Sequence, residues 1–120
     1  MKNSPINFGT DGWRATIAQE YTFDNLKIVA AALAAYLQKN QKGKIENGVA
    51  IGYDTRFLSA EFAHTAGEVL SNAGIPTKVS DRDSTTPAIA WAVRGGELAS
   101  GVMITASHNP PKYNGFKFID

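Results

Sequence analysis

The chain has 120 residues, of which 43% are hydrophobic and 19% charged, a composition typical of a globular protein rather than a disordered or fibrous one. Twelve Lys and Arg against eleven Asp and Glu leave a net charge of +1, which gives no support to nucleic-acid binding. The absence of cysteine excludes disulfides and thiolate metal sites. We expect a soluble, cytoplasmic protein, because no apolar stretch resembles a signal sequence or is long enough to cross a membrane.

The first motif, at residues 7–14, is rich in turn-forming residues. Two glycines bracket Thr10 and Asp11, whose side chains can bond back to the local backbone. Two interpretations stay open. The segment is either a surface turn between two short strands or a loop that directs Arg14 at an anion, since a guanidinium matches phosphate oxygens bidentately.

Three helices are predicted from apolar residues that recur at three- and four-residue spacing. Thr22 is the expected N-cap of the first helix. Ser59 is the expected N-cap of the second helix, which is expected to stop at Gly74. Thr86 is the expected N-cap of the third helix, with Pro87 at the first helical position.

Two helical side chains could be mistaken for functional groups. His64 falls beside the apolar face of the second helix, and Trp91 falls among the apolar residues of the third. We interpret His64 as a scaffold residue and Trp91 as a packing residue.

The strands alternate with these helices. They are predicted at residues 49–53, 75–79, 102–104 and 115–119. Strands separated by helices imply right-handed crossovers. The last strand follows its neighbour without a helix and is therefore expected to be antiparallel. The fold class is α/β: a three-layer α/β/α domain with a mainly parallel sheet of about four strands and an antiparallel strand at the C-terminal end.

Polar residues follow two of the predicted strands. Residues 54–56 come after the strand at 49–53, and residues 105–109 come after the strand at 102–104. Ligands of open α/β sheets bind beyond the carboxyl ends of the strands. Both groups should therefore lie on one edge of the domain.

The group at residues 105–109 contains Ser107, followed directly by His108. A hydrolytic serine is the least supported interpretation, because adjacent side chains rarely meet in the required geometry and no G-x-S-x-G elbow surrounds it. Nearby cations could instead stabilise a phosphoryl group on Ser107. The residues alone leave a phosphate-handling site and a structural loop both open. The cations concerned are Arg14, Arg56, Lys112 and Lys117, together with His108.

Three motifs resemble those of one family. TASHNP at residues 105–110, followed by NGFK at 114–117, resembles the phosphoserine loop of the α-D-phosphohexomutases. FGTDGWR at 8–14 resembles the N-terminal motif of the same family, and GYDTR at 52–56 is similar to a third. The family includes phosphoglucomutases, phosphomannomutases and phosphoglucosamine mutases.

The resemblance implies that Ser107 is the phosphorylated residue of an intramolecular phosphotransferase. Such an enzyme interconverts hexose 1-phosphate and hexose 6-phosphate through a bisphosphorylated sugar. Lys117 would be the candidate general base, Arg14 would clamp the phosphate, and His108 would shape the site or assist proton transfer. The residues expected to support the substrate or the loop are Thr10, Asp11, Arg56 and Asn109.

The resemblance also implies a cofactor and partners. Mg²⁺ would bind Ser107 through its phosphate, with its other ligands beyond this chain, and hexose 1,6-bisphosphate would serve as activator and intermediate. The expected partners are a phosphorylated hexose and the remaining domains of the same polypeptide, with no nucleic acid and no membrane.

Residues 1–120 are expected to form one domain, the first of four in a longer enzyme, and to be inactive in isolation. The alternatives are a phosphoglucosamine mutase domain and a non-enzymatic sugar-phosphate-binding module on the same scaffold.

Overall fold

The computed structural model describes residues 12–106 and 109–119. Strands and helices alternate along most of the chain, and one 3₁₀ turn covers Ile45–Asn47. In chain order the elements are β1 (Trp13–Thr16), α1 (Phe23–Asn40), β2 (Val49–Tyr53), α2 (Ser59–Asn72), β3 (Thr77–Val79), α3 (Thr86–Gly96), β4 (Ser100–Ile104) and β5 (Tyr113–Ile119).

The five strands form one sheet in the order β1-β5-β4-β2-β3. Strand β2 pairs in parallel with β3 and with β4, whereas β5 runs antiparallel to β4 and to β1. The prediction of a mainly parallel sheet with an antiparallel strand at the C-terminal end is therefore confirmed. The sheet has five strands rather than about four, because β1 pairs with the free side of β5.

Strand β1 differs from the turn or loop that the sequence predicts around Arg14. Trp13 and Ala15 are buried on one face of this strand, and Arg14 and Thr16 are half-buried on the other. A four-residue strand is not stable by itself, and strand formation depends strongly on neighbouring packing. The pairing of β1 with β5, which places Trp13 opposite Phe116, therefore decides the local conformation.

Helices cover both faces of the sheet and give the three predicted layers. Helices α1 and α2 share the main hydrophobic core with one face of the sheet. Helix α3 packs on the opposite face, where Ile89 and Val93 form a smaller cluster with Met103. The side chains of β4 serve both layers, because Val102 and Ile104 enter the main core while Met103 lies under α3.

The three predicted helices are present, but two of them begin differently. Thr22 caps α1 as predicted, and its side chain accepts a backbone N–H of the first turn. Leu58, with a left-handed φ of 64°, occupies the cap position of α2, so the prediction that Ser59 is the cap is wrong. Thr85 rather than Thr86 caps α3. No helix within the two described ranges is long and apolar enough to cross a bilayer.

The prediction that Trp91 is a packing residue is wrong, because its side chain is 75% exposed. The reason is the narrow stripe through which α3 touches the sheet. Ile89 and Val93 are buried in that stripe, and Trp91 lies two residues from each. Two residues correspond to a rotation of about 200° around a helix, which directs Trp91 away from the sheet. His64 is exposed on α2.

An aromatic cluster joins β1 to the helices. The ring of Tyr21 stacks on Trp13, with 4.4 Å between centroids, and meets Phe62 edge-on at 4.7 Å. Its hydroxyl donates a hydrogen bond of 2.8 Å to the carbonyl oxygen of Gly115 in β5. Because the side chain is fully buried, this bond ties the segment after β1 to the centre of the sheet.

Gly115 lies where three backbone segments converge. A Cβ atom at this position would be 2.5 Å from the carbonyl oxygen of Thr105 and 2.7 Å from that of Trp13. It would also be 2.9 Å from Cγ of Arg14, its cross-strand partner. The missing side chain therefore allows β1, β5 and the segment after β4 to approach one another.

The first prediction concerns the pH dependence of stability. Burial, with a smaller contribution from the charge of Asp54, raises the pKa of Tyr21 well above its ordinary value. The unfolded tyrosine ionises near pH 10, whereas the folded, buried tyrosine stays neutral to higher pH. The stability that the neutral Tyr21 side chain contributes is therefore complete below about pH 10 and is lost as the pH rises further. We expect Tyr21→Phe to lose about 1 kcal/mol at neutral pH and to show a shallower fall in stability above about pH 10.

Denaturant titrations between neutral and alkaline pH measure this difference. The matched control is Tyr36→Phe, because Tyr36 is exposed on α1. This variant should keep the alkaline slope of the unmodified chain. Equal slopes for Tyr21→Phe and the unmodified chain would contradict the prediction.

The second prediction concerns the convergence at Gly115. Gly115→Ala should lower the free energy of unfolding by about 1–3 kcal/mol, because the new methyl group meets backbone atoms of two strand segments. Gly95→Ala is the control, since a Cβ there has no neighbour within 4 Å. Alanine is the better helix former by up to about 1 kcal/mol, so Gly95→Ala should be neutral or stabilising. Chemical denaturation measures both, and the reverse order would refute the packing argument.

Candidate functional site at the carboxyl edge of the sheet

The site is built on the carboxyl ends of two neighbouring parallel strands. Tyr53 of β2 lies opposite Ile104 of β4, so the residues that follow them, Asp54 and Thr105, leave the sheet side by side. The backbone N–H of Asp54 donates to the carbonyl oxygen of Ile104 at 3.2 Å. The Thr105 hydroxyl donates to Asp54 Oδ2 at 2.6 Å. For the described residues, the prediction that both polar groups share one edge is confirmed.

The carboxylate of Asp54 accepts four hydrogen bonds. Oδ1 accepts from the Ser59 hydroxyl at 2.9 Å and from the backbone N–H of Arg56 at 3.1 Å. Oδ2 accepts from the Thr105 hydroxyl at 2.6 Å and from Nε of Arg56 at 3.2 Å. One carboxylate therefore joins the end of β2, the start of α2 and the end of β4.

The guanidinium of Arg56 continues this network into the segment after residue 108. It donates to the carbonyl oxygens of Asn109 and Pro110, each at 2.8 Å, and of Tyr113 at 3.2 Å. Its side chain is only 13% exposed. The prediction for Arg56 was support of the substrate or the loop, and these three bonds connect it to the loop backbone.

Ser59 and Asn114 connect this network to β5. The buried Asn114 amide donates from Nδ2 to the Ser59 hydroxyl oxygen at 2.9 Å, and its Oδ1 accepts from the N–H of Gly115 at 2.8 Å. The Ser59 hydroxyl hydrogen is directed to Asp54. These bonds explain why Ser59 does not cap α2, since its side chain connects Asp54 to β5 instead.

Arg14 reaches the same segment from β1. Its Nη1 donates to Oδ1 of Asn109 at 3.1 Å, and its strand position lies opposite Gly115. Asn109 is thus held by two arginines, through its side chain by Arg14 and through its carbonyl by Arg56. The structure therefore brings together three of the predicted site residues.

Lys117 lies on β5 opposite Met103 and is half-buried. It is two residues from Gly115, the cross-strand partner of Arg14. Because side chains alternate along a strand, Lys117 and Arg14 belong to the same face of the sheet. Four further predicted site residues lie outside the described residues: Thr10, Asp11, Ser107 and His108.

The two ends of the segment that contains residues 107 and 108 are held firmly. Thr105 is bonded to Asp54, and its backbone N–H donates to the carbonyl oxygen of Gly115 at 3.0 Å. Asn109 N–H donates to the carbonyl oxygen of Ala106 at 3.0 Å. Thr105, Ala106 and Asn109 thus form a hydrogen-bonded frame on both sides, in sequence, of Ser107, the predicted phosphoserine.

Sequence reasoning missed the side chains that build this frame. It singled out the polar groups after the two strands but gave no role in the site to Asp54, Ser59, Thr105 or Asn114. One signal was available for two of them, because Asp54 and Thr105 are each the first residue after a predicted strand. Ser59 and Asn114 are separated by 55 positions, and only the tertiary fold brings them into contact.

Comparisons with known proteins agree with this architecture. The family model for the phosphoglucomutase/phosphomannomutase alpha/beta/alpha domain I matches residues 5–120. A phosphoglucomutase of Staphylococcus saprophyticus is 42% identical over 119 residues, covering 96% of this chain and 21% of the relative. A phosphoglucomutase of Staphylococcus haemolyticus is 41% identical, covering 93% of this chain and 20% of the relative.

A solved structure is also similar. It is the crystal structure of a candidate phosphomannomutase from Thermus thermophilus, with a TM-score of 0.88 and 42% identity over 97% of this chain and 26% of that one. This chain spans about a fifth of the length of the curated relatives that it matches. The match over residues 5–120 shows that the chain belongs to the phosphoglucomutase/phosphomannomutase family, as its alpha/beta/alpha domain I.

Proposed function

We propose that this chain is the phosphoserine-bearing domain of a phosphohexomutase that interconverts hexose 1-phosphate and hexose 6-phosphate. The observation that carries the proposal is the frame around residues 107 and 108. Thr105 on one side and Asn109 on the other are both tied, directly or through Arg56, to Asp54. Enzymes catalyse phosphoryl transfer mainly by positioning and electrostatic stabilisation, and a fixed frame supplies the first of these.

The proposed chemistry uses Ser107 as a phosphoryl carrier. In the first step the bond between phosphorus and the Ser107 oxygen breaks, and a bond to a sugar hydroxyl oxygen forms. Lys117 takes the hydroxyl proton as general base, and the departing Ser107 oxygen takes up a proton, so that a serine hydroxyl replaces the sugar hydroxyl that was consumed. In the second step the bond between the other phosphate of the resulting bisphosphorylated sugar and its sugar oxygen breaks, and a bond from phosphorus to the Ser107 oxygen forms. The serine proton passes to the released sugar oxygen, which completes the isomerisation.

The remaining site residues take supporting roles. Arg14 would clamp the phosphate on Ser107, since a guanidinium can bind two phosphate oxygens at once. His108 would shape the site or assist proton transfer, while Thr10 and Asp11 would support the loop near Arg14. The hydrogen bond between Arg14 and Asn109 supports this arrangement, because it holds the guanidinium against a residue two positions from Ser107 in sequence.

The family resemblance is the reason that Mg²⁺ is included as a cofactor in this proposal. Within the two described ranges, no group of three or more His, Asp or Glu side chains could hold a metal ion. The described side chains therefore do not form a metal site by themselves. The phosphate of Ser107 would be its one ligand from this chain. Hexose 1,6-bisphosphate would be the activator and the intermediate.

The names of the relatives bear on the choice of substrate. They favour a phosphoglucomutase or phosphomannomutase over the phosphoglucosamine mutase alternative and over a non-enzymatic module. The substrate class in this proposal is accordingly a phosphorylated hexose. The remaining domains of a longer polypeptide would supply the other parts of the site, and a cytoplasmic location stays a prediction.

The third prediction tests Ser107 in the full-length protein. Mass spectrometry should find one phosphoryl group on the peptide that contains Ser107. Ser107→Ala should remove this group and reduce turnover of glucose 1-phosphate or mannose 1-phosphate by at least about 1,000-fold, because the nucleophile is lost. Ser71→Ala, at an exposed position of α2, is the control and should keep full turnover. A Ser107→Ala protein with normal activity would end the proposal.

The fourth prediction concerns the chain by itself. Residues 1–120 should not isomerise glucose 1-phosphate, because the proposed site needs groups from the rest of the protein. A coupled assay with the full-length protein as positive control measures this. Turnover by the chain alone at a rate similar to that of the full-length protein would show that the site is complete within these residues.

A further inference from the structure

We propose that Asp54 is a positioning residue for phosphoryl transfer at Ser107. Its carboxylate fixes the two flanks of the serine in one geometry, through Thr105 on one side and through Arg56 on the other. This inference rests on the proposed function, because it assigns a role in a reaction at Ser107. The family resemblance gave no role to Asp54.

Several hydrogen-bond donors meet at the carboxylate of Asp54. Four hydrogen bonds from three residues converge on its two oxygens, at distances of 2.6–3.2 Å. An ionised carboxylate is acceptor-only and can accept all four bonds. An asparagine cannot, because its NH₂ group would replace one oxygen and face the two donors that bond to it. The arrangement therefore requires a carboxylate.

Hydrogen bonds through Arg56 connect Asp54 to the segment that follows residue 108. The bond between Asp54 Oδ2 and Arg56 Nε orients the planar guanidinium. The other nitrogens of this group then meet the carbonyl oxygens of Asn109, Pro110 and Tyr113. Loss of the Asp54 carboxylate would allow the Arg56 guanidinium to reorient. The segment that follows residue 108, which this guanidinium holds, would then no longer be fixed in one position.

The negative charge of Asp54 is compensated by Arg56. Asp54 is bonded to Thr105, two residues before the proposed phosphoserine in sequence, and a carboxylate near a phosphate disfavours the charged phosphate by repulsion. Asp54 is 26% exposed, so water screens only part of its charge. Arg56 supplies the compensating positive charge directly at the carboxylate. An acid at this edge is thus useful for the geometry that it imposes rather than for its charge.

The experiment uses the full-length protein and two pairs of variants. Asp54→Asn is compared with Asp81→Asn, whose carboxylate is almost fully exposed and pairs with Arg82 at 3.8 Å. Thr105→Val removes the hydroxyl that binds Asp54 at nearly constant volume, and Thr105→Ser keeps it. Turnover is measured per folded molecule, at a temperature at which circular dichroism shows each variant to be fully folded.

Asp54→Asn and Thr105→Val should each lower kcat by about 10- to 100-fold, because displacement of a reacting group by about 1 Å can cost 100-fold. KM should change less than about threefold, since neither residue is assigned to substrate binding. The rate at which hexose 1,6-bisphosphate phosphorylates Ser107 in a single turnover should fall in parallel. Asp81→Asn should keep normal values of all three, and Thr105→Ser, which retains the hydroxyl, should recover most of the kcat that Thr105→Val loses.

A purely structural role predicts a different result. The variants would then unfold at lower temperature while their kcat per folded molecule stays normal, and that outcome overturns the inference. If Asp54→Asn does not fold, the comparison of Thr105→Val with Thr105→Ser decides by itself, and equal kcat values overturn the inference. The proposed function fails by a different result, namely normal activity of the Ser107→Ala protein, so the two failures can be told apart.

Discussion

The parallel pairing of β2 with β4 is the constraint on which the rest of the site depends. Their register sets Tyr53 opposite Ile104, and the next residue of each strand therefore leaves the sheet at the same height. Asp54 and Thr105 meet there through a bond of 2.6 Å. A shift of one residue in this register would turn one of the two side chains to the other face, because strand side chains alternate. The site thus inherits its geometry from backbone hydrogen bonds in the centre of the sheet.

Strands β5 and β1 extend this geometry toward the edge of the sheet. Gly115 accepts hydrogen bonds on its carbonyl oxygen from both the backbone of Thr105 and the hydroxyl of Tyr21. Its missing side chain leaves space for the stem of Arg14 on the neighbouring strand. One glycine therefore connects the aromatic core, the end of β4 and the arginine that contacts Asn109. The candidate site and the hydrophobic core are, for this reason, parts of one packed structure.

Much of this fold could be predicted from sequence because its signals are local. The boundaries of β2 follow from an apolar run that ends at a polar residue, and α1 follows from its cap at Thr22 and its three- and four-residue spacing. The errors arise where tertiary contacts decide. β1 forms only because β5 pairs with it, and Trp91 is exposed because α3 touches the sheet through a narrow stripe. The Asp54 network joins residues from four elements, and no pattern of spacing encodes it.

The positions of Arg14 and Arg56 suggest how such a frame could serve a reaction in which one side chain gains and loses a charged phosphate. Arg56 is committed to Asp54 and to three backbone carbonyls, so its charge is neutralised within the protein. In the proposed cycle Ser107 alternates between a phosphorylated, charged form and a neutral one. A frame held by Asp54 and Arg56 does not need the phosphate to balance its charge. In that cycle the frame would keep the same geometry in both forms, while Arg14 and Lys117, on one face of the sheet, would be the groups that interact with the phosphate.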